Sequence, residues 1–513
     1  MNRPRAKTPR TAVVGIGLLA LAVIAGCGVN SDSGTTTISP SAATSEQAVS
    51  LGQFYQQPLT WRGCGDGFQC TKVKVPLDYS APTGRSIEIS VNRLRAKNQS
   101  NRIGALFVNP GGPGGSGLDY ARAAEGVLSP AVIGRYDVIG FDPRGVGQSS
   151  PIDCLNDKQT DEFVSVEGTP VTAEQAKEVV DVSKLMGQTC EQNSPQLTRF
   201  IGTIAAAKDI DIIRGAIGEP SLNLLGKSYG TFLGLTYAKL FPQKVNRFVL
   251  DGVIDPTLTN DELAQGQADG FQLALGRFIA NCAKHKDCPL PAGQAAGLNK
   301  INSWLEELGR KPIPAQPGRP LTRALAVNGI IGSMYEQRDG WPALRFALES
   351  GFSGDGEPML QIVDSFLGRT DKGKYLDNSV DALYAVNCLD RPDRASAAQT
   401  AVLAKDWTKS APTFGGDLAW GNLPCHDWPA PATDVPGAIT AVGAQPILLV
   451  GTTNDPATPY KWAVAVSGQV ENNSLITWNG DGHTAYHRGS LCVDSHIDAY
   501  LLAGTMPPKQ TTC

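Results

Sequence analysis

The chain has 513 residues, 41% hydrophobic and 18% charged, a composition that supports large packed cores and excludes a disordered chain. At roughly 150 residues per domain, the length allows two to four domains. A formal net charge of −4 leaves no basic excess to neutralise phosphates, which excludes nucleic-acid binding by bulk electrostatics.

The first ten residues carry Arg3, Arg5, Lys7 and Arg10 and no acid, and residues 11–26 are uncharged and mostly apolar. This is the layout of an export signal. Its apolar run is shorter than the ~20 residues that span a bilayer. The run ends Ile24-Ala25-Gly26-Cys27, which resembles a bacterial lipobox. Residues 1–26 are therefore expected to be a lipoprotein signal peptide, with Cys27 lipid-modified and the chain held on the outer face of the cell membrane. The Ser- and Thr-rich residues 27–50 read as a flexible tether.

Eleven cysteines are an odd number, and setting Cys27 aside leaves ten. In an oxidising compartment these pair. Nearest-neighbour pairing in chain order joins Cys64 with Cys70, Cys154 with Cys190, Cys282 with Cys288, Cys388 with Cys425, and Cys492 with Cys513. A metal clip of Cys282, His285 and Cys288 is the alternative for the third pair, but its spacing matches no standard zinc pattern.

From about residue 70, strands alternate with helices. Strands are expected at 71–75, 87–95, 104–109, 136–141, 222–225, 247–250, 447–450 and 475–478. The later ones are continuous apolar runs, as in strands buried on both faces. Helical periodicity fits 204–217, 229–240, 460–466 and 493–502. The fold class is α/β with a mostly parallel sheet. The alternation breaks between about 255 and 443, where the pattern is helical with a Pro-rich loop at 311–320. The expected organisation is a core of residues 51–256 and 443–513 interrupted by a helical cap at 257–442.

Gly226-Lys227-Ser228-Tyr229-Gly230 follows one of these strands and opens a helix. Strand, sharp turn and helix are what a nucleophile elbow requires, and Ser228 would sit at the C-terminal edge of the sheet. A serine hydroxyl needs a base. His483, after the last predicted strand, is the first choice, ahead of His487 and His496; His285 and His426 lie beside cysteines in the insertion. The imidazole needs a carboxylate to hold its tautomer. Asp455 follows the 447–450 strand, and Asp481 is too near His483 in sequence to reach the far ring nitrogen. Asn109-Pro110-Gly111-Gly112-Pro113-Gly114-Gly115 directly follows an early strand and supplies backbone N–H groups. Gly112 and Tyr229 are the expected oxyanion donors. Arg144, in Asp142-Pro143-Arg144-Gly145, reads as a tie between loops.

These motifs, with Asn454-Asp455-Pro456 and Gly480-Asp481-Gly482-His483-Thr484, occur in an order that resembles the secreted actinobacterial tripeptidyl aminopeptidases. These are relatives of the proline iminopeptidases within the α/β-hydrolase superfamily. The resemblance spans about residue 61 to the C-terminus, although Asn109-Pro110 stands where proline iminopeptidases have His-Gly. It implies an α/β-hydrolase fold with Ser228 as nucleophile, Asp455 as acid and His483 as base. It also implies release of short peptides from free N-termini under a helical cap. Such an enzyme must pair the substrate ammonium with a carboxylate. Asp390, beside Cys388, is the candidate and Glu336 the alternative. This chemistry calls for no metal or organic cofactor. The expected partners are peptides with free N-termini and a membrane, and the expected state is a monomer. A lipid-anchored esterase with the same triad is the competing function, and a non-catalytic peptide-binding lipoprotein the more distant one.

Overall fold

The structure, a computed structural model, describes residues 51–513. The signal peptide, Cys27 and the tether lie outside the described residues. A ten-stranded sheet organises the chain. Its strands are β1 (Arg62–Gly63), β2 (Phe68–Pro76), β3 (Ser86–Leu94), β4 (Gly104–Asn109), β5 (Tyr136–Phe141), β6 (Leu222–Lys227) and β7 (Val245–Asp251). After a cap hairpin of β8 (Ile313–Gln316) and β9 (Arg319–Leu321) come β10 (Ile447–Asn454), β11 (Asn473–Asp481) and β12 (Gln510–Thr512). The spatial order is β1-β2-β3-β5-β4-β6-β7-β10-β11-β12. The ladders from β1 to β5 through β2 and β3 are antiparallel, and all those from β5 to β12 are parallel.

Burial explains the strand pattern. Every residue of β4, β5 and β6 is buried, because helices cover both faces of the parallel part. β2 alternates buried and exposed positions near its middle, as an outer antiparallel strand should. The two strands expected after residue 443 do not stand apart. They extend the same sheet beside β7, with β12 added at the edge. The Pro-rich stretch expected as a loop forms the β8–β9 hairpin.

The long excursion from Asp251 to Ile447 is helical, as expected, but it divides in its packing. Phe271, Phe278, Trp304, Ile330, Trp341 and Met359 belong to a core of the cap's own. Leu383, Val386, Leu389, Trp407 and Trp420 instead join the core of the sheet. A second excursion, between β5 and β6, adds helices Asp157–Ser165 and Ala173–Asn193. It clamps the cap through Asp161 on Arg369 at 2.7 Å and Glu167 on Arg323 at 2.7 Å. Five disulfides close Cys64–Cys70, Cys154–Cys190, Cys282–Cys288, Cys388–Cys425 and Cys492–Cys513. These are the chain-order pairs, and the third of them consumes both sulfurs of the alternative metal clip. Among the described residues no helix is long and apolar enough to cross a membrane.

Candidate active site

Ser228 stands between β6 and helix Tyr229–Leu240 with φ 55° and ψ −125°. A non-glycine residue in this region is strained and persists only where its surroundings hold it. Its N–H donates to the Asp251 carbonyl at 2.9 Å, and its carbonyl accepts from both the N–H and the hydroxyl of Thr231. Gly226 is required by close approach, since a Cβ there would lie 2.3 Å from the Gly230 oxygen.

The ladder pairs Asn109 with Gly226, so the glycine loop leaves β4 directly beside the elbow. A Cβ on Gly111 would lie 2.6 Å from the Lys227 carbonyl oxygen and 2.8 Å from Ser228 Cβ. The Asn109 side chain takes the Gly111 N–H at 3.0 Å. Gly112, with φ 110°, lines the cavity in front of Ser228.

His483 follows β11 and lines the same cavity, of about 210 Å³, as Ser228 and Gly112. Its Nδ1 donates to Asp455 Oδ1 at 2.9 Å and Oδ2 at 3.0 Å. The Asp455 carboxylate also accepts N–H groups from Ala457, Thr458 and Thr484. Four donors converge on this buried carboxylate, and its acceptor role makes Nδ1 the protonated ring nitrogen. Nε2 is buried without a hydrogen-bond partner among the described residues. A base that must take a proton from a bound reactant has that arrangement.

The other histidines separate from this pair. His487 lines the cavity but packs edge-on against Tyr486, with ring centroids 4.8 Å apart. His496 lies in helix Leu491–Ala503 on the disulfide side, and His426 Nδ1 is bonded to the Arg394 carbonyl. His285 is exposed in the Cys282–Cys288 loop. Asp481 is engaged by Arg277 and Gln337 rather than by His483. Arg144 is fully buried on Asp209 at 2.6 Å and donates to the carbonyls of Pro76, Leu77 and Phe200, which ties three loops together.

The expected ammonium anchors need correction. Asp390 does not line the cavity. It is buried under the elbow helix, where Thr203 donates to it through N–H at 2.7 Å and hydroxyl at 2.5 Å. Since the Thr203 proton goes to Asp390, the Tyr229 hydroxyl donates to Thr203 Oγ1 at 2.5 Å. Asp390 thus supports the residue after Ser228, and burial pushes its carboxyl up to about 6. Glu336 is ion-paired with Arg488, a cavity residue. The carboxylates that do line the cavity are Asp119 and Asp377.

The sequence pattern also gives no hint of the cap's grip on the base. The Tyr335 carbonyl accepts the His483 N–H at 2.9 Å, and the Tyr335 ring meets the imidazole edge-on at 5.2 Å. No local signal marks Tyr335, because its role exists only once the cap has docked.

The chain is similar to known proteins along most of its length. A family model described as TAP-like protein matches residues 411–513. "Serine protease Hip1" of Mycobacterium tuberculosis is 35% identical over 480 residues, covering 89% of this chain and 91% of that protein. "Carboxylesterase B" of the same organism is 34% identical over 502 residues, covering 96% and 95%. "Tripeptidyl aminopeptidase" of Streptomyces lividans is 29% identical over 490 residues, covering 91% and 88%. The chain belongs to the tripeptidyl-aminopeptidase-like family of α/β-hydrolases and is a serine hydrolase of the peptidase type.

Proposed function

We propose that this protein is an exported, membrane-anchored aminopeptidase that releases short peptides, tripeptides in particular, from free N-termini. The observation that carries the catalytic part is the shared cavity: strained Ser228, the unengaged Nε2 of His483 and the glycine loop all face it. Ser228 Oγ attacks the scissile carbonyl as His483 Nε2 takes its proton, while Asp455 stabilises the imidazolium that forms. The N–H groups of Gly112 and Tyr229 receive the oxyanion. His483 then protonates the leaving amine, and water, deprotonated by the same nitrogen, hydrolyses the acyl-enzyme.

The exopeptidase part is supported by the cap, which contributes Tyr335 and Asp377 to the cavity wall, and by the relative named tripeptidyl aminopeptidase. A substrate ammonium entering this cavity would meet Asp119 and Asp377. The relative named carboxylesterase makes ester hydrolysis the alternative to exclude. Purified protein should cleave tripeptide amides with free N-termini at least tenfold better than N-blocked peptides or short-chain esters. Ser228→Ala should abolish turnover of all three, a loss of order 10⁶-fold. Preference for blocked peptides or esters would overturn the aminopeptidase reading, and an active Ser228→Ala protein would overturn the mechanism. The anchor rests on the lipobox-like sequence at Cys27. Cys27→Ser should move the protein from the membrane fraction into the medium, and retention on the membrane would remove that part of the proposal.

A further inference from the structure

The loop that carries His483 is held along its whole length. The His483 N–H goes to the Tyr335 carbonyl at 2.9 Å and the Thr484 N–H to Asp455 at 3.0 Å. The N–H groups of Ala485 and Tyr486 both go to the Asp251 carboxylate, at 2.9 Å and 3.0 Å, and that of His487 goes to Asp494 at 2.9 Å. Five consecutive N–H groups are thus taken by four separate parts of the chain. The loop needs such restraint. Thr484 has φ 66° and His487 φ 58°, and a β-branched residue at positive φ is a genuine outlier.

One charged group closes this network from the nucleophile's side. Lys227 and Asp251 are register partners at the ends of β6 and β7. Lys227 Nζ donates to the Tyr486 carbonyl at 2.7 Å and lies 3.5 Å from Asp251 Oδ2. The lysine therefore grips the carbonyl of the residue whose N–H its aspartate partner grips. It is buried, it lines the cavity, and it immediately precedes Ser228.

We propose that Lys227 and Asp251 are a positioning pair that sets His483 against Ser228 by pinning the peptide groups of Ala485 and Tyr486. This rests on the reading of Ser228 and His483 as nucleophile and base. Neither member touches the reacting atoms. Their effect passes through the loop backbone, so their loss lowers the rate of the chemical step rather than substrate affinity.

The pair also gives the site a pH limit. Burial, the largest influence, pulls the Lys227 ammonium down to about 8, with Asp251 opposing. Arg488 on the histidine loop and Asp494 in helix Leu491–Ala503 also act on it, the Tyr486 ring lies 6.0 Å away, and Asp119, Tyr120, Asp377, His483 and His487 share the cavity. Above pH 8 the lysine goes neutral, the ion pair with Asp251 is lost, and the bond to the Tyr486 carbonyl weakens from a charge-assisted to a neutral one. Activity should fall there.

Four proteins test this: wild type, Lys227→Met, Lys227→Arg and the double variant Lys227→Met/Asp251→Asn, which leaves no unpaired buried charge if the single change prevents folding. Each is assayed for kcat and KM between pH 6 and 10 and for the rate at which a phosphonofluoridate labels Ser228. In Lys227→Met and in the double variant, kcat and the labelling rate are expected to fall about 10²-fold at unchanged KM, as for an ångström-scale misplacement of a catalytic group. Lys227→Arg, whose guanidinium stays charged, is expected to keep activity and to lose the wild-type decline above pH 8. A folded Lys227→Met or double variant with wild-type kcat, a loss confined to KM, or an unmoved alkaline decline in Lys227→Arg would overturn the proposal. Wild type that is not labelled at Ser228 would instead overturn the nucleophile assignment beneath it.

Discussion

Ser228 and His483 sit on one cavity but are held there in different ways. The serine is placed mainly by its immediate neighbours, β6 before it and helix Tyr229–Leu240 with Thr231 after it, with one backbone bond to Asp251 on the adjacent strand β7. The histidine sits on a loop with no regular structure and depends on the cap at Tyr335, on Asp455 after β10, and on Asp251 at the end of β7. A nucleophile elbow is a local solution, and a strained serine can be held by one turn and one helix. The base must instead be aimed from a distant part of the chain, so its geometry is a property of the assembled sheet and cap. Damage near the serine should therefore be local and steric, while damage near the histidine can arrive from several elements.

The largest test of this contrast is on the histidine side. Asp455→Asn should lower kcat by about 10⁴-fold, through the wrong imidazole tautomer, while Ser228 keeps its elbow geometry. A rate within tenfold of wild type would show that the histidine does not depend on its acid.

Gly111→Ala strikes the serine side. The added Cβ meets the Lys227 carbonyl and Ser228 Cβ at 2.6 and 2.8 Å and must push the glycine loop away from the elbow. One displaced oxyanion donor costs about 10²–10³-fold in kcat. Unchanged kcat on tripeptide amides would mean the loop has no part in stabilising the oxyanion.

The smallest effect is expected at Asp390, which supports the serine side from below. Asp390→Asn should lower kcat only a few-fold and leave the ratio of rates on free-amine and N-blocked peptides unchanged. Its signature is in stability. Burial raises the Asp390 carboxyl in the folded protein to about 6, above its unfolded value, so its contribution is fully present below about pH 4 and is lost as pH rises through 6. Wild type should lose up to about 3 kcal/mol over that window relative to the variant, a difference readable by urea unfolding at pH 4 and 7. A selective loss on free-amine peptides would restore Asp390 as an ammonium anchor.

Much of the architecture is legible in the amino-acid order. The apolar runs at 104–109, 136–141 and 222–225 are strands because a stretch buried on both faces admits no polar alternation. The helices at 157–165 and 173–193 have sequence signals too. Each begins with a capping box, Asn156 with Gln159 and Thr172 with Gln175. Their mixed polarity hides them from a reading based on apolar periodicity, because half of each faces solvent or the cap. Asp390 is the opposite case. A carboxylate beside a disulfide in a cap looks like a binding group, but helix Ser379–Asp390 packs into the core of the sheet rather than toward the cavity.

What the sequence determines by itself is what short-range chemistry dictates: the strand and helix periods, the turn that exposes Ser228, the chain order of Ser228, Asp455 and His483, and disulfides between cysteines that are neighbours in the chain. Only the tertiary structure decides which carboxylate serves which donor. Asp481 faces Arg277, Asp390 holds Thr203, and Asp251 joins Lys227 in holding the histidine loop. The reason is physical. A backbone turn is satisfied within a few residues, whereas a buried charge must find its partners among whichever elements the fold brings to it.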